Sequence, residues 1–91
     1  MKPLFSLGHV VATPSALAAL EKAGQQPGEF LARHVSGEWG DVPPEDIAEN
    51  EFSLHHGFRL FSAYHTSVGD KLWVITEADR SSTCILLPEE Y

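Results

Sequence analysis

The sequence predicts an α+β domain in which three short helices pack on one face of a three- or four-stranded antiparallel sheet. Two observations carry that expectation. Glycine and proline divide the first 57 residues into three segments with helical apolar spacing. After Gly57 the period changes to two, in three runs rich in β-branched and aromatic residues with short polar connections. Helices first and strands afterwards is the order expected of two segregated layers. At 91 residues the chain is one domain, spanning 1–91, with a core that outweighs chain entropy only narrowly.

The elements are taken in chain order. His9 to Ala12 is a short β-branched run that fits an added edge strand. In TPSALAALEKAG, Thr13 is placed to cap, Pro14 occupies the first helical position and Gly24 stops the helix. Leu17 and Leu20, with Ala16 and Ala23, form its expected apolar stripe. PGEFLARHVSG repeats the pattern, with Phe30, Leu31 and Val35 turned inward and Gly37 as the stop. PPEDIAENEFSLHHG is the third helix; its acids crowd the first turns, where the helix dipole favours them. FRLFSAYHT then alternates Phe58, Leu60, Ser62 and Tyr64 against Arg59, Phe61, Ala63 and His65. SVGDK is a hairpin loop, and KLWVITE and STCILLP complete a meander.

Composition narrows the function. The formal net charge is −7, from 13 acidic and 6 basic residues, which argues against a surface that binds nucleic acid directly. The longest apolar runs fall far short of the roughly 20 residues that cross a bilayer, so no membrane span is expected. The stretch from Met1 through PLFSLGHVVA is too broken and too weakly basic for a secretory signal, which leaves a cytoplasmic location. Cys84 is the single cysteine and reads as a small sheet residue.

Between Arg33 and Arg59 there is no lysine or arginine, while Glu38, Asp41, Glu45, Asp46, Glu49 and Glu51 all fall there. Such a block either attracts a basic partner or is a solvated helix face that keeps a small protein soluble. In TEADRSS, Asp79, Ser81 and Ser82 are turn formers that account for a chain reversal. The same loop offers Arg80, hydroxyls and free amides to an anion, with Thr76, Glu77 and Asp79 beside them. In HVSGEWGD, Trp39 lies between two glycines and serves either as a plug of the core or as a recognition anchor.

Catalytic and metal signatures are thin. No nucleotide-binding or nucleophile-elbow motif occurs, and no cofactor is implied. The five histidines, at 9, 34, 55, 56 and 65, lack the paired spacing of a metal site; distant histidines with Asp41 or Asp46 are the remaining route to one.

The G-x-WGD run at Gly37–Asp41 and the TEADRS…LLPEEY run at Thr76–Tyr91 resemble a family of small bacterial proteins often labelled plasmid-related or hypothetical. The similarity covers about residues 8 to 91. It implies an origin on mobile elements, where small acidic proteins sometimes inhibit host-defence enzymes by occupying their DNA-binding surfaces. It supplies no activity and no catalytic residues; Cys84 stands where similar sequences suggest a threonine, which argues against a catalytic thiol.

The leading expectation is therefore a non-enzymatic binding protein for a basic or nucleic-acid-handling protein. Its candidate surfaces are the acidic 38–51 segment, including Trp39, Asp41, Glu45, Asp46, Glu49 and Glu51, and the loop with Thr76, Glu77, Asp79, Arg80 and Ser81. The alternative is a small enzyme or anion-binding domain whose single cleft joins His34, Trp39 and Asp41 to Thr76, Asp79 and Arg80. A third reading is a homodimer in which LWVI and CILL pair across a sheet edge.

Overall fold

The computed structural model describes residues 3–91. Met1 and Lys2, the start of the stretch that is unlike a secretory signal, lie outside the described residues. The chain adopts the α+β class. Strand β1 (His9–Ala12) is followed by helices α1 (Pro14–Ala23), α2 (Pro27–Val35) and α3 (Pro44–His56). Strands β2 (Leu60–His65), β3 (Lys71–Thr76) and β4 (Ser82–Leu86) come next, and a single 3-10 turn, Pro88–Glu90, comes after β4.

The sheet order is β1-β4-β3-β2. The meander is antiparallel, whereas β1 joins β4 in parallel, with Val10 opposite Thr83 and Ala12 opposite Ile85, so the sheet is mixed. A parallel partner needs a crossover. All three helices and two strands lie between β1 and β4 in sequence.

In this order neither LWVI nor CILL lies on a free sheet edge. Both runs belong to interior strands: β3 is paired on both sides by β2 and β4, and β4 by β3 and β1. Their backbone groups are already used.

Thr13 caps α1 by accepting from the Ala16 N–H at 3.1 Å. Gly24, at φ 68°, ends the helix in the left-handed region. The buried stripe of α1 is Ala16, Ala19 and Leu20, while Leu17 is 47% exposed. That differs from the expected stripe because the sheet meets α1 one position round from Leu17, and small alanines allow the close approach. Phe30 of α2 joins this core with Tyr64, Leu72, Val74 and Ile85 from the inner face of the sheet.

Helix α3 sits beside the β2 edge, and its only buried residues are Asn50 and Ser53. Asn50 donates to the Phe61 carbonyl at 2.7 Å and accepts the Phe61 N–H at 3.0 Å, as a neighbouring strand would. Farther along the same edge, Ala63 N–H donates to the Trp39 carbonyl at 3.0 Å and Asp41 N–H to the Ala63 carbonyl at 2.7 Å. Gly40 makes that contact feasible: its φ is 79°, and a Cβ there would collide with the Ala63 carbonyl oxygen. An edge so covered cannot pair with another chain.

No helix among the described residues is long and apolar enough to cross a membrane.

Candidate functional site

The residues singled out in the sequence fall into three places. The first is interior. Trp39 is 4% exposed, in a cluster with Val42, Leu60 and Ala63, and its indole N–H donates to Glu51 at 3.2 Å. Thr76 is fully buried. Between them lies His34, also without exposed surface. Its ring stands edge-on to Trp39 at 5.7 Å and to Phe5 at 5.2 Å between centroids.

His34 belongs to a chain of buried hydrogen bonds whose direction can be worked out. Thr83 Oγ1 donates to the Leu7 carbonyl at 2.7 Å, so its lone proton is used and it accepts from Thr76 Oγ1, also at 2.7 Å. Thr76 in turn accepts from His34 Nε2–H at 2.9 Å, which leaves Nδ1 to accept from the Ser62 hydroxyl at 2.5 Å. The ring is therefore the neutral Nε2–H tautomer, and burial lowers its pKa to about 4. A serine hydroxyl donating to an unprotonated imidazole is the arrangement of an activated nucleophile. Here both groups are fully buried with Phe5 packed on the ring, so the pair works as a polar brace of the core.

The second place is the β3–β4 turn, residues 77–81. Arg80 takes the left-handed conformation at φ 61°. Its guanidinium donates to the carbonyls of Phe58 at 2.7 Å, Glu77 at 3.2 Å, Ala78 at 3.1 Å and Ser53 at 2.9 Å. Ser53 belongs to the last turn of α3, and Phe58 comes just after its Gly57 stop. Arg80 thus ties that helix end to the turn, with its charge against the negative end of the dipole. Asp79 closes the turn by accepting the Ser81 N–H at 3.0 Å. The Ser81 hydroxyl, and then its backbone N–H, hold the Asp79 carboxyl below the usual range. Glu77 pairs with Arg59 at 3.5 Å.

The two motifs expected to share a cleft meet through Phe5. Its ring stacks on Trp39 at 6.3 Å, and Arg80 lies 5.7 Å from its centroid. Segment 3–8 is held there by Leu4 N–H donating to the Val35 carbonyl and by the Thr83 bond to Leu7. His34, Trp39 and Arg80 thus converge around a packed ring, and Thr76 joins them through its bond with His34. Asp41 lies apart from them, exposed and bonded to His65 Nδ1 at 2.6 Å.

The third place is the surface of α3. Glu45, Glu49, Phe52 and His56 recur at helical spacing and fall within an arc of about 60° at 3.6 residues per turn. All four are exposed, Phe52 by 50%. The Phe52 ring stacks on His56 at 4.1 Å and on Phe58 at 5.8 Å, giving a surface ladder of three rings. Among the described residues, basic groups pair with Asp70, Glu38, Glu77 and Asp41, and none pairs with Glu45, Asp46 or Glu49.

Sequence reasoning missed the Ser62, Thr76 and Thr83 chain as a unit. Its signal was present, since Ser62 falls on the otherwise apolar face of its strand. Asn50 as a strand surrogate had no local signal. Among the described residues, no three His, Cys, Asp or Glu side chains cluster to hold a metal ion. Cys84 is half-buried in β4, and burial, followed by Glu90 and Glu77, raises its thiol pKa. No family model matches the chain, and neither a curated protein nor a solved structure matches it.

Proposed function

We propose that the protein is a non-catalytic binding protein that engages a basic protein partner through the outward face of α3. The observation that carries this reading is the combination on one helical stripe of carboxylates unpaired among the described residues, at Glu45 and Glu49, with the exposed rings of Phe52 and His56, which Phe58 extends just past the helix end. Carboxylates alone serve solvation. Rings left in water beside them add apolar area and stacking faces for arginine, so the stripe complements a basic, arginine-bearing surface.

A partner that handles nucleic acid has such a surface, and its occupation would block DNA or RNA from binding. Inhibition of a host-defence enzyme by an acidic mobile-element protein is one form of this activity, and a cytoplasmic location suits it. Glu51 is committed to Trp39, and Asp46 is only half-exposed, so Glu45, Glu49 and Phe52 form the centre of the surface. The turn at 77–81 supports the surface by fixing the end of α3 through Arg80.

The test is capture of proteins from the native host at low and high salt. Wild type is compared with a Glu45→Gln/Glu49→Gln variant and with Phe52→Ala. A partner that is lost at high salt and weakened by both variants supports the reading. A partner retained by all of them places the interface elsewhere.

A further inference from the structure

The opposite face of the sheet carries an apolar groove of about 230 Å³, lined by Arg59, Phe61, Trp73, Ile75 and Tyr91. The strand register explains it. Phe61 lies opposite Ile75, and Trp73 is two pairs farther along on the same face, opposite the small Ala63. Helices α1 and α2 cover the inner face, whereas Phe61 and Trp73 on the outer face pack against the Trp39 and Val42 cluster on one side and meet the C-terminal segment beyond β4 on the other. Tyr91 reaches back over the strand and meets Trp73 edge-on at 5.7 Å, while Phe61 stands perpendicular to Trp73 at 5.0 Å. Phe61 and Tyr91, each steeply inclined to Trp73, make walls with it, and Ile75 adds apolar surface to the lining.

The polar groups of the groove each offer a donor. Arg59 has no acceptor atom, and it donates to the Tyr91 hydroxyl oxygen at 2.8 Å. The Tyr91 oxygen is thereby engaged and its own proton is free to donate outward. The Trp73 indole N–H has no acceptor among the described residues, in contrast to Trp39, whose N–H is taken by Glu51. Glu77 lies 3.5 Å from one terminal nitrogen of Arg59 and the Tyr91 hydroxyl takes one N–H of the other, so further N–H groups of the guanidinium remain for a ligand. Apolar rings with donors at the rim complement a flat apolar ring that bears an acceptor. Arginine matches a carboxylate best, through paired N–H···O bonds.

We propose that this groove binds a small monocyclic aromatic carboxylate. Size excludes much more, because 230 Å³ lies below the roughly 300–1,000 Å³ of pockets for drug-sized ligands. It also favours a free acid over the C-terminal residue of a peptide, whose preceding chain needs further groove. Tyr91 is 67% exposed and rests on Trp73 and Arg59, so it can swing aside to admit the ring and close over it. The site is independent of the α3 surface, and either can fail without the other.

The experiment is a titration of 15N-labelled full-length protein followed at the Trp73 indole N–H, identified by its loss in Trp73→Phe. The probes share one ring and differ in charge: phenylacetate, 2-phenylethanol, phenethylammonium and acetyl-Gly-Phe with a free C-terminus. Phenylacetate is expected to shift the Trp73 signal saturably and to bind about tenfold or more tighter than 2-phenylethanol, the value of a charge-assisted hydrogen bond. Arg59→Gln is expected to remove that preference while the rest of the spectrum reports an intact fold. Tyr91→Phe, which deletes one exposed hydroxyl, provides a milder variant expected to weaken phenylacetate alone. Equal binding of acid and alcohol, preference for the ammonium or for the peptide, or no saturable shift with any probe would each overturn the proposal.

Discussion

Lowering the pH from 7 to 5 should destabilise this protein by about 2 kcal/mol through His34 alone. The ring is fully buried, and the groups facing it, Ser62, Thr76, Phe5 and Trp39, include no carboxylate that could stabilise an imidazolium. Both ring nitrogens are also committed, since Thr83 and the Leu7 carbonyl fix Nδ1 as an acceptor. The folded pKa is about 4, against 6.5 for a solvated histidine. A base with a depressed folded pKa binds its proton more readily when unfolded, so stability rises with pH across the window from about 4 to 6.5. Linkage over that window gives a full loss of roughly 3 kcal/mol, of which about 2 falls between pH 7 and 5. Below the folded pKa the contribution levels off.

The assay is urea unfolding at pH 7, 6 and 5, followed by far-ultraviolet circular dichroism. Wild type is compared with His34→Gln, which keeps an amide donor and acceptor but cannot titrate. The other four histidines are exposed, so the difference between the two proteins isolates the buried ring. The slope should be present in wild type and reduced by about 2 kcal/mol in the variant. Equal slopes would refute the neutral, buried assignment of His34.

Three substitutions test the parts that hold α3 and the β2 edge. Asn50→Ala removes both partners of the Phe61 backbone and should cost about 2 kcal/mol in urea unfolding, with loss of hydrogen-exchange protection at the Phe61 amide. Gly40→Ala puts a Cβ against the Ala63 carbonyl at a positive φ and should cost roughly 2 kcal/mol or more by the same assay. Ser53→Ala should do the reverse. Its buried hydroxyl has no hydrogen-bond partner among the described residues, so deleting it should raise stability by about 1 kcal/mol in thermal unfolding.

What was legible in the sequence is what local chemistry decides. Thr13, Pro14 and Gly24 bound α1 where capping rules place them, and the period-two runs after Gly57 became β2 to β4. The parallel pairing of β1 was not legible, because it depends on a crossover that brings the chain back to β4. The polar burial of α3 was hidden for a similar reason. Its pattern of acids and scattered apolar residues describes a surface helix, whereas Asn50 acquires its role only when the bare edge of β2 arrives beside it.

The sites divide in the same way. Trp39 as a core plug and TEADRSS as a turn could be read from residue types. The four carbonyls around Arg80 come from the end of α3 and from its own turn, segments distant in sequence. The aromatic groove was foreshadowed by Phe61 and Trp73, large rings on the outward positions of two strands. Only Tyr91 folding back made walls of them.

The most direct test of the α3 surface is a photo-crosslink. p-Benzoylphenylalanine would replace Phe52 at the centre of the stripe or, as a control, the exposed Leu17 of α1. After irradiation in the native host, an adduct with a basic protein from position 52, absent at 17 and suppressed by Glu45→Gln/Glu49→Gln, is the predicted result. An adduct from position 17 alone, or one from position 52 that is indifferent to the two carboxylates, would contradict the acidic-aromatic stripe as the binding surface.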